Sequence, residues 1–374
     1  MTVLDVFQKW YKRYLFEEEA ILLLVLLTIS IALLMTIGDI LAPLLASIVL
    51  AYLMQGLSSR LERLGLPQWV GVSVAYVVFV GAFFAVSLGI LPLAWRQLVS
   101  LVSELPRMLE HGRQLLSVLP AQYPDYITAD QLNNYVSVAQ RELATFGQTL
   151  LTRTVASIPG ILTVMVYMVL IPILVFFFLK DRELILNWLA GFLPRERPLL
   201  TKIWVEMNVQ FANYARGKVV EVIVVGAVSY FAFASLGLNY AALLGLLVGL
   251  SVIIPYIGAA LVTIPVVMVG IFQWGFSSEF YWVFAVYVVI QALDGNVLVP
   301  WLFSEAVNLH PVAIILAVLF FGGVWGMWGV FFAIPLATLI KAIINAWPAP
   351  RPDLNPGGDA LPEGELPPGG TVED

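Results

Sequence analysis

The chain has 374 residues, of which 60% are hydrophobic and only 12% are charged, whereas roughly a quarter of the residues in a typical soluble domain are charged. This composition excludes an ordinary soluble enzyme. The formal net charge of -6 belongs mostly to an acidic tail, and a chain with 0 cysteines and 2 histidines offers neither thiolate ligands nor a histidine cluster, so we expect no metal site and no cofactor.

Apolar runs long enough to cross a membrane follow one another along the chain. Six of them are Ala20–Ile37, Ile40–Leu57, Trp69–Trp95, Ile158–Leu179, Val219–Leu238 and Tyr281–Trp301. Two longer apolar stretches, Tyr240–Phe272 and Pro311–Trp347, complete the set. We therefore predict an all-α, polytopic integral membrane protein with about eight transmembrane segments.

Basic residues indicate the orientation of these segments. Lys9, Lys12 and Arg13 precede the first run, and seven basic residues lie from Lys180 to Lys218. Because Lys and Arg accumulate in cytoplasmic loops, we predict that the N-terminus is cytoplasmic. An even number of crossings then places the C-terminus on the same side.

The same pattern divides the chain into segments. We predict a cytoplasmic amphipathic N-terminus (1–19), transmembrane helices 1–3 (20–95), an extracytoplasmic helical segment (96–156), transmembrane helix 4 (157–180), a cytoplasmic amphipathic segment (181–218), a C-terminal membrane half (219–346) and a disordered acidic tail rich in Pro and Gly (347–374). The outer segment alternates apolar and polar positions at helical spacing. We expect it to form two or three amphipathic helices that lie on the outer surface or pack between subunits.

The two longest apolar stretches are too long for one straight helix each. The 33 residues of the first would measure roughly 50 Å against a hydrocarbon core of about 30 Å. Both are interrupted near the middle, the first around Pro255 and Gly258 and the second around Gly322 and Gly326. Unwound backbone in a membrane is tolerated only where protein or water surrounds it. We therefore expect all four residues to face an interior, whereas the alternative for the glycines is plain helix packing.

The two stretches also match each other at an offset of 70 to 71 residues, with a polar turn at the start and a proline near the end. Each follows a full span, so the repeating unit is a helix followed by an interrupted hairpin. If both hairpins return to the side from which they came, the two units have inverted topology, which is typical of the binding region of a transporter. The alternative is that each stretch crosses the membrane once.

Polar residues are rare in this half, where no Lys or Arg lies between Val219 and Ile340. Asp294 lies in a span with Gln291 and Asn296. A carboxylate in the membrane is normally paired, protonated or placed on an ion path, and no base of this half is available to pair with it. Asp294 is therefore the first candidate for substrate or ion coupling, as a proton acceptor or as a cation ligand together with the two amide oxygens. The alternative is that the span ends at the cytoplasmic interface and Asp294 caps it.

Two further residues are secondary candidates. Glu221 lies one turn inside the fifth run, where we expect it to pair with Lys218 at the interface, and the alternative is a mid-membrane carrier. His310 could serve as a base for Ser251, because Gly249-Leu-Ser251 resembles a membrane serine-protease motif. However, His310 lies at the edge of a segment and Ser251 fits a packing role. An intramembrane protease is therefore a remote alternative, and we expect that the protein is not an enzyme.

Several motifs in a fixed order resemble those of one family of bacterial permeases. They are Phe176-Phe-Phe-Leu-Lys-Asp181, Arg216-Gly217, Ile254-Pro-Tyr-Ile-Gly258, Asp294-Gly-Asn-Val-Leu-Val-Pro300, Leu309-His-Pro311 and Ala333-Ile-Pro335. Over roughly Ile21 to Ala346, the chain is similar to the autoinducer-2 exporter family. It departs from the family pattern at Lys218, where glutamine is common, and at Gly56-Leu57, where Asn-Pro often follows the second span.

This resemblance implies a location in the bacterial inner membrane and a secondary transporter that exports a small solute such as autoinducer-2 or exchanges a monovalent cation for protons. Arg216, at the start of the fifth run, joins the secondary candidates. The main alternative is a non-transporting membrane scaffold or a passive channel. The expected partners are membrane lipid, the solute or cation with protons, and further copies of the chain in a homo-oligomer. No nucleic acid is expected.

Overall fold

The computed structural model describes residues 18–116, 158–255, 257–303 and 309–347, together with seven separate residues between 130 and 145. The predictions for residues 1–17, for most of the outer segment after 116 and for the tail after 347 lie outside these residues. All elements within the described ranges are helices, and eight of them are long and apolar enough to cross a membrane. The prediction of an all-α polytopic membrane protein is confirmed.

The N-terminal part of the structure contains three helices. They are α1 (Glu18–Arg63), α2 (Gln68–Ala85) and, after a π-helical turn at Val86–Ile90, α3 (Leu91–Leu116). Ile37 interrupts α1 with non-helical backbone angles (φ −129°, ψ 20°), so α1 provides two spans that meet where the sequence predicts a loop.

Helix α3 differs from the prediction for the outer segment. Its Ala94 and Leu101 are buried in the largest hydrophobic cluster of the protein, with Leu98 and Met108 packed against that cluster. The other members come from the C-terminal half of the same chain. The apolar stripe of α3 therefore packs against other helices of the same chain and does not need another subunit to cover it.

The middle of the chain forms α4 (Ile158–Lys180), α5 (Arg182–Ala190) and α6 (Pro198–Ser235). The chain turns between α5 and α6, and Pro198 is the first residue of α6. The predicted boundary between a cytoplasmic segment and a fifth span, at residues 218 and 219, lies within a single helix, because α6 has 38 residues. Residue 218 therefore lies inside a long helix and not in a loop.

The first interrupted stretch forms two helices, α7 (Ala241–Ser251) and α8 (Ile257–Trp274). A Cβ atom at Gly258 would overlap the carbonyl oxygen of Ser251, so the two helices touch directly beside the turn. At the other end, the Gln273 side chain accepts a hydrogen bond from the Asn239 backbone N–H (2.7 Å) and donates one to the Gly237 carbonyl (2.8 Å). The start and the end of the stretch thus meet, and we call α7 and α8 hairpin 1.

The second unit starts with α9 (Ser278–Leu293), which continues through a π-helical turn (Asp294–Leu298) into α10 (Val299–Phe303). The second interrupted stretch is α11 (Pro311–Ala346), in which Gly326 breaks the helix with φ 59° and ψ −138°. A Cβ atom at Gly329 would overlap the Phe321 carbonyl oxygen. The two arms of α11 therefore fold against each other, and we call them hairpin 2.

The tips of the two hairpins have different surroundings. Ile254, at the tip of hairpin 1, packs against Ala317, Val318 and Ala333 of hairpin 2. By contrast, Gly326 is exposed and Met327 is 80% exposed. The tip of hairpin 1 therefore faces the interior of the protein, whereas the tip of hairpin 2 is exposed on the surface of the single chain. The second arm of hairpin 2 has about 20 residues and a length of about 30 Å, the full hydrocarbon thickness, so its tip can reach an interface where water satisfies the open backbone.

Candidate functional site

Helix α6 is the element that holds both hairpins. Its Gly226 lies against Gly249 of α7 so closely that a Cβ atom on either glycine would press on backbone atoms of the opposite helix. Further toward the start of α6, the Tyr214 hydroxyl donates a hydrogen bond of 3.0 Å to the Phe331 carbonyl in hairpin 2. The face of α6 between these two contacts therefore looks into the space where the hairpins approach each other.

That face carries a buried ion pair. The Nζ atom of Lys218 lies 2.7 Å from Oε2 of Glu221, and the two residues are 5% and 2% exposed. Lys218 also donates a hydrogen bond of 2.8 Å to the carbonyl of Val252, the residue that follows α7 at the tip of hairpin 1. The same ammonium lies 5.1 Å from the centre of the Phe303 ring. Lys218 thus ties α6 to the hairpin tip and to α10.

Asp294 completes this group. It is the first residue of the π-helical turn between α9 and α10, and its carboxylate lies within electrostatic range of Lys218 and of Glu221. The residue is partly buried, and its Oδ1 atom is buried with no hydrogen-bond partner among the described groups. We call Lys218, Glu221, Asp294, Phe303 and the Val252 carbonyl the Lys218 cluster.

The sequence led us to expect no base near Asp294, whereas Lys218 lies within electrostatic range of its carboxylate. That expectation considered only residues from 219 onward, whereas α6 brings Lys218 to the cluster from one position earlier. The helix through Asp294 also continues to Phe303 without a loop, so Asp294 does not end a segment as the capping alternative required. A π-helical turn adds a residue to the helix and is frequent at functional sites.

The two amides predicted to accompany Asp294 are placed differently. The Gln291 amide donates a hydrogen bond of 2.9 Å to the Tyr287 hydroxyl, which lies 2.7 Å from the Thr263 hydroxyl of α8. Gln291 therefore contributes to the contact between α9 and hairpin 1. Asn296 is exposed and donates to the Ala292 carbonyl of its own helix. Residues two apart on a helix do not share a face, so Asn296 is not brought to the carboxylate of Asp294.

The secondary candidates take separate positions. Glu221 pairs with Lys218 as predicted, and both side chains are buried inside the protein. The Arg216 guanidinium bonds Ala212 and Asn213 within its own helix and lies against Gly56 of α1. The His310 side chain accepts a hydrogen bond from the Val312 backbone N–H at the start of α11, which is a helix-capping role.

The broken-helix residues also separate into two groups. Pro255 and Gly258 shape the tip of hairpin 1 next to the Val252 carbonyl, and therefore lie close to the Lys218 cluster. Gly322 packs against the Val330 side chain within hairpin 2, and Gly326 lies at the exposed tip. Only the first pair is brought to the site.

Sequence reasoning missed Lys218, Val252 and Phe303 as parts of the site. One signal was available, since Lys218 is a charged residue three positions before Glu221 and one helical turn places both on the same face. A backbone carbonyl such as that of Val252 leaves no trace in residue type, so its role required the structure.

The buried cluster can hold and move charge. Two carboxylates and one ammonium have a net charge of about −1 when all are ionised, and buried groups of this kind are costly unless they are balanced. One proton would balance the cluster. Residues of this type inside a membrane commonly mark proton or ion pathways.

Comparison with known proteins gives a consistent result. The family model described as "AI-2E family transporter" matches residues 21–349. PerM of Escherichia coli (strain K12), which carries the provisional name of a permease, is 49% identical over 346 residues, covering 92% of this chain and 98% of PerM. YueF of Bacillus subtilis (strain 168), provisionally named a transport protein, is 27% identical and covers 82% of this chain and 84% of its own. The AI-2 transport protein TqsA of Escherichia coli (strain K12) is 25% identical, with 82% and 86% covered.

Proposed function

Because the chain belongs to the AI-2E family of transporters, we propose that it is a secondary transporter of the bacterial inner membrane that exports a small solute or exchanges a monovalent cation, in either case against protons. The name of TqsA makes autoinducer-2 the first solute to test. One observation carries the proposal. Asp294 is a partly exposed carboxylate with one buried oxygen, and it lies within electrostatic range of a buried ion pair that is bonded to the tip of a broken hairpin.

Each part of this arrangement has a use in coupling. The partly exposed side of Asp294 gives protons access, and the buried side places the charge where neutralising it changes the energy of the cluster. The Val252 carbonyl makes hairpin 1 sensitive to that charge, since its partner Lys218 also pairs with Glu221 and lies within electrostatic range of Asp294. Protonation of Asp294 therefore alters the balance that holds the hairpin tip against α6.

Flux through proteoliposomes tests the proposal. We expect an imposed proton gradient to drive uphill movement of at least one member of a panel that contains sodium, lithium and a small furanosyl diol. Asp294→Asn should reduce this uphill flux to background, because the amide cannot accept the proton. Glu279→Gln, which removes an exposed carboxylate from the first turn of the same helix, serves as the matched control and should retain the flux.

Three outcomes contradict parts of the proposal. Unchanged uphill flux in Asp294→Asn rejects this residue as the coupling group. Solute movement that ignores the proton gradient favours a passive channel. Movement of no solute at all favours the scaffold, for which the broken, charged hairpin contact would then have a structural role.

Self-association remains a prediction of its own. The exposed tip of hairpin 2 at Gly326 and Met327 is an irregular backbone segment that a second copy could cover. We expect native mass spectrometry in mild detergent to show a homo-oligomer. A monomer under conditions that preserve lipid binding would count against it.

A further inference from the structure

We propose that the Lys218 ammonium occupies the position of an alkali cation, so that the coupling ion of this transporter is the proton and neither sodium nor lithium binds at this position. The inference rests on the proposed function, because it names the coupling ion of the same site. It also gives a functional reason for a lysine that is buried inside a membrane protein, where a charge is costly.

The surroundings of Nζ are those of a small cation site. A carboxylate oxygen of Glu221 lies at 2.7 Å and a backbone carbonyl oxygen of Val252 at 2.8 Å. Val252 directly follows the C-terminal end of α7, where unpaired carbonyl groups give a helix its negative end. Unwound carbonyls and the C-terminal ends of broken helices are the groups that coordinate sodium in transporters with inverted repeats. In this chain the same type of oxygen cage holds an ammonium.

The ammonium cannot leave the cage as a free ion would. Lys218 is anchored by the backbone of α6, and it is 5% exposed. A tethered group competes with a free ligand at a high effective concentration. Phe303 closes the remaining side of the cage with its ring 5.1 Å from Nζ. A sodium ion would therefore have to displace a permanently attached competitor.

The charges of the cluster then leave one carboxylate that can take up a proton. Lys218 balances one carboxylate, and the second is left with the buried, unbonded Oδ1 atom of Asp294. Among the described residues, the charged groups that act on this position are Lys218 and Glu221 from α6, while Tyr214 of α6 interacts electrostatically with Glu221 and donates its hydroxyl hydrogen bond to hairpin 2. In the proposed step, water at the exposed side of Asp294 gives a proton to the carboxylate and later receives it back on the other side. No other bond forms or breaks.

Removal of the ammonium should convert the cage into a sodium site. We compare the melting temperature of the purified full-length protein in sodium, lithium and choline chloride at equal ionic strength. The wild type should melt at the same temperature in all three salts. Lys218→Gln shortens the side chain by one atom, keeps it polar and removes the positive charge of the cluster, and it should gain about 2–4 °C in sodium or lithium over choline.

Two further variants keep the test decisive. Lys202→Gln removes an exposed lysine near the start of the same helix and should remain indifferent to the salt. Because loss of one partner from a buried ion pair can prevent folding, Lys218→Gln is also combined with Asp294→Asn, which restores the net charge of the wild-type cluster. The double variant retains the Glu221 and Val252 oxygens and should respond to sodium as well.

Several results would overturn the inference. Stabilisation of the wild type by sodium relative to choline would show that the cage is open to the ion. Folded Lys218 variants that ignore sodium would show that the oxygens do not form a cation site. Failure of both variants to fold even at high sodium would have the same meaning, because the proposal requires that sodium replaces the ammonium.

The melting measurement does not depend on transport, which separates this inference from the proposed function. If no solute moves but the variants gain sodium dependence, the transport proposal fails and the cage remains supported. If solute moves and the wild-type flux requires sodium, the protein is a transporter and the assignment of Lys218 fails.

Discussion

Lys218 is a single residue on which several contacts of the fold depend. Its ammonium reaches Glu221 on its own helix and Val252 at the tip of hairpin 1. Removing one partner from a buried pair typically costs about 3–5 kcal/mol, because the other charge is left uncompensated. A buried lysine at this position therefore needs its carboxylate partner. A Glu221→Gln substitution should lower the free energy of unfolding by a similar amount.

Gly258 permits a prediction at the same scale. A methyl group at this position would overlap the Ser251 carbonyl oxygen, and neither backbone can move without opening hairpin 1. We expect Gly258→Ala to lower the melting temperature in detergent by about 5–10 °C, as for a severe case of overpacking.

Gly323→Ala is the matched control, since no heavy atom outside its own helical turn lies within 4 Å of the added Cβ atom in the described part of the chain. It should leave the melting temperature unchanged or raise it slightly, because alanine favours a helix by about 1 kcal/mol over glycine. Equal losses in the two variants would show that the effect is not specific to the contact with Ser251.

At the residue scale, the sequence identified Asp294 and Glu221 because acids are rare in an apolar half and burial makes them costly. It did not identify the partner of Asp294, since Lys218 stood next to a charged segment and looked like part of it. Asn296 was a reasonable ligand by type. Its position on another face of the helix depends on the local winding, which residue type does not fix.

At the element scale, the two hairpins repeat one structural device. Gly258 and Gly329 both lie against a carbonyl oxygen of the preceding arm, and the 71 positions that separate them equal the offset found between the two apolar stretches. The sequence similarity therefore reflects a shared way of closing a hairpin. It also explains why the interruptions could be located from glycine and proline alone.

The base of hairpin 1 offers a second test at this scale. Gln273→Ala removes two hydrogen bonds, to Asn239 and Gly237, each with a net value of about 0.5–1.5 kcal/mol. We expect amide hydrogen exchange in α7 and α8 to become about tenfold faster.

Gln55→Ala is the control for this change, because the Gln55 amide bonds Ser59 within α1. Exchange in hairpin 1 should then match the wild type. Unchanged protection of α7 and α8 in Gln273→Ala would show that hairpin 1 does not depend on the two hydrogen bonds of Gln273.

Helix boundaries and depths were harder to predict than the hairpins themselves. The apolar run that started at Val219 suggested a new span, whereas α6 starts at Pro198, because the polar residues before 219 belong to the same helix. The environment of Gly326 was missed for a related reason. Other residues cover the tip of a broken hairpin only if its arms have a suitable length and other helices pack beside them. The sequence of the hairpin determines neither the neighbouring helices nor the position of the tip.

At the scale of the whole molecule, the arrangement predicts which loops share a side of the membrane. The protein contains no cysteine, so single cysteines can be introduced without background. We expect Leu64→Cys and His310→Cys to react with an impermeant thiol reagent from one side. Ser278→Cys and Met327→Cys should react from the other, since hairpin 1 returns to its side of origin and the tip of hairpin 2 crosses most of the membrane.

Labelling of Ser278→Cys together with Leu64→Cys would contradict this topology, because it would mean that residues 241–274 cross the membrane once. Protection of Met327→Cys from both sides would place the tip of hairpin 2 inside the hydrocarbon or under another subunit. The positive-inside distribution adds that the side of Leu64 is the cytoplasm.

The hydrogen bonds of Gln273 also have a consequence for the order in which the protein folds during synthesis. Its hydrogen bonds join residues 34 and 36 positions apart, and the bond from Lys218 to Val252 spans 34 positions. Loops of this length close at a small entropic cost, and contacts that are local in sequence form early. Hairpin 1 and the contacts of Lys218 with Glu221 and Val252 can therefore form as soon as α8 has been synthesised, before α9 brings Asp294. The ammonium is thus already paired with Glu221 when the second carboxylate of the cluster is added.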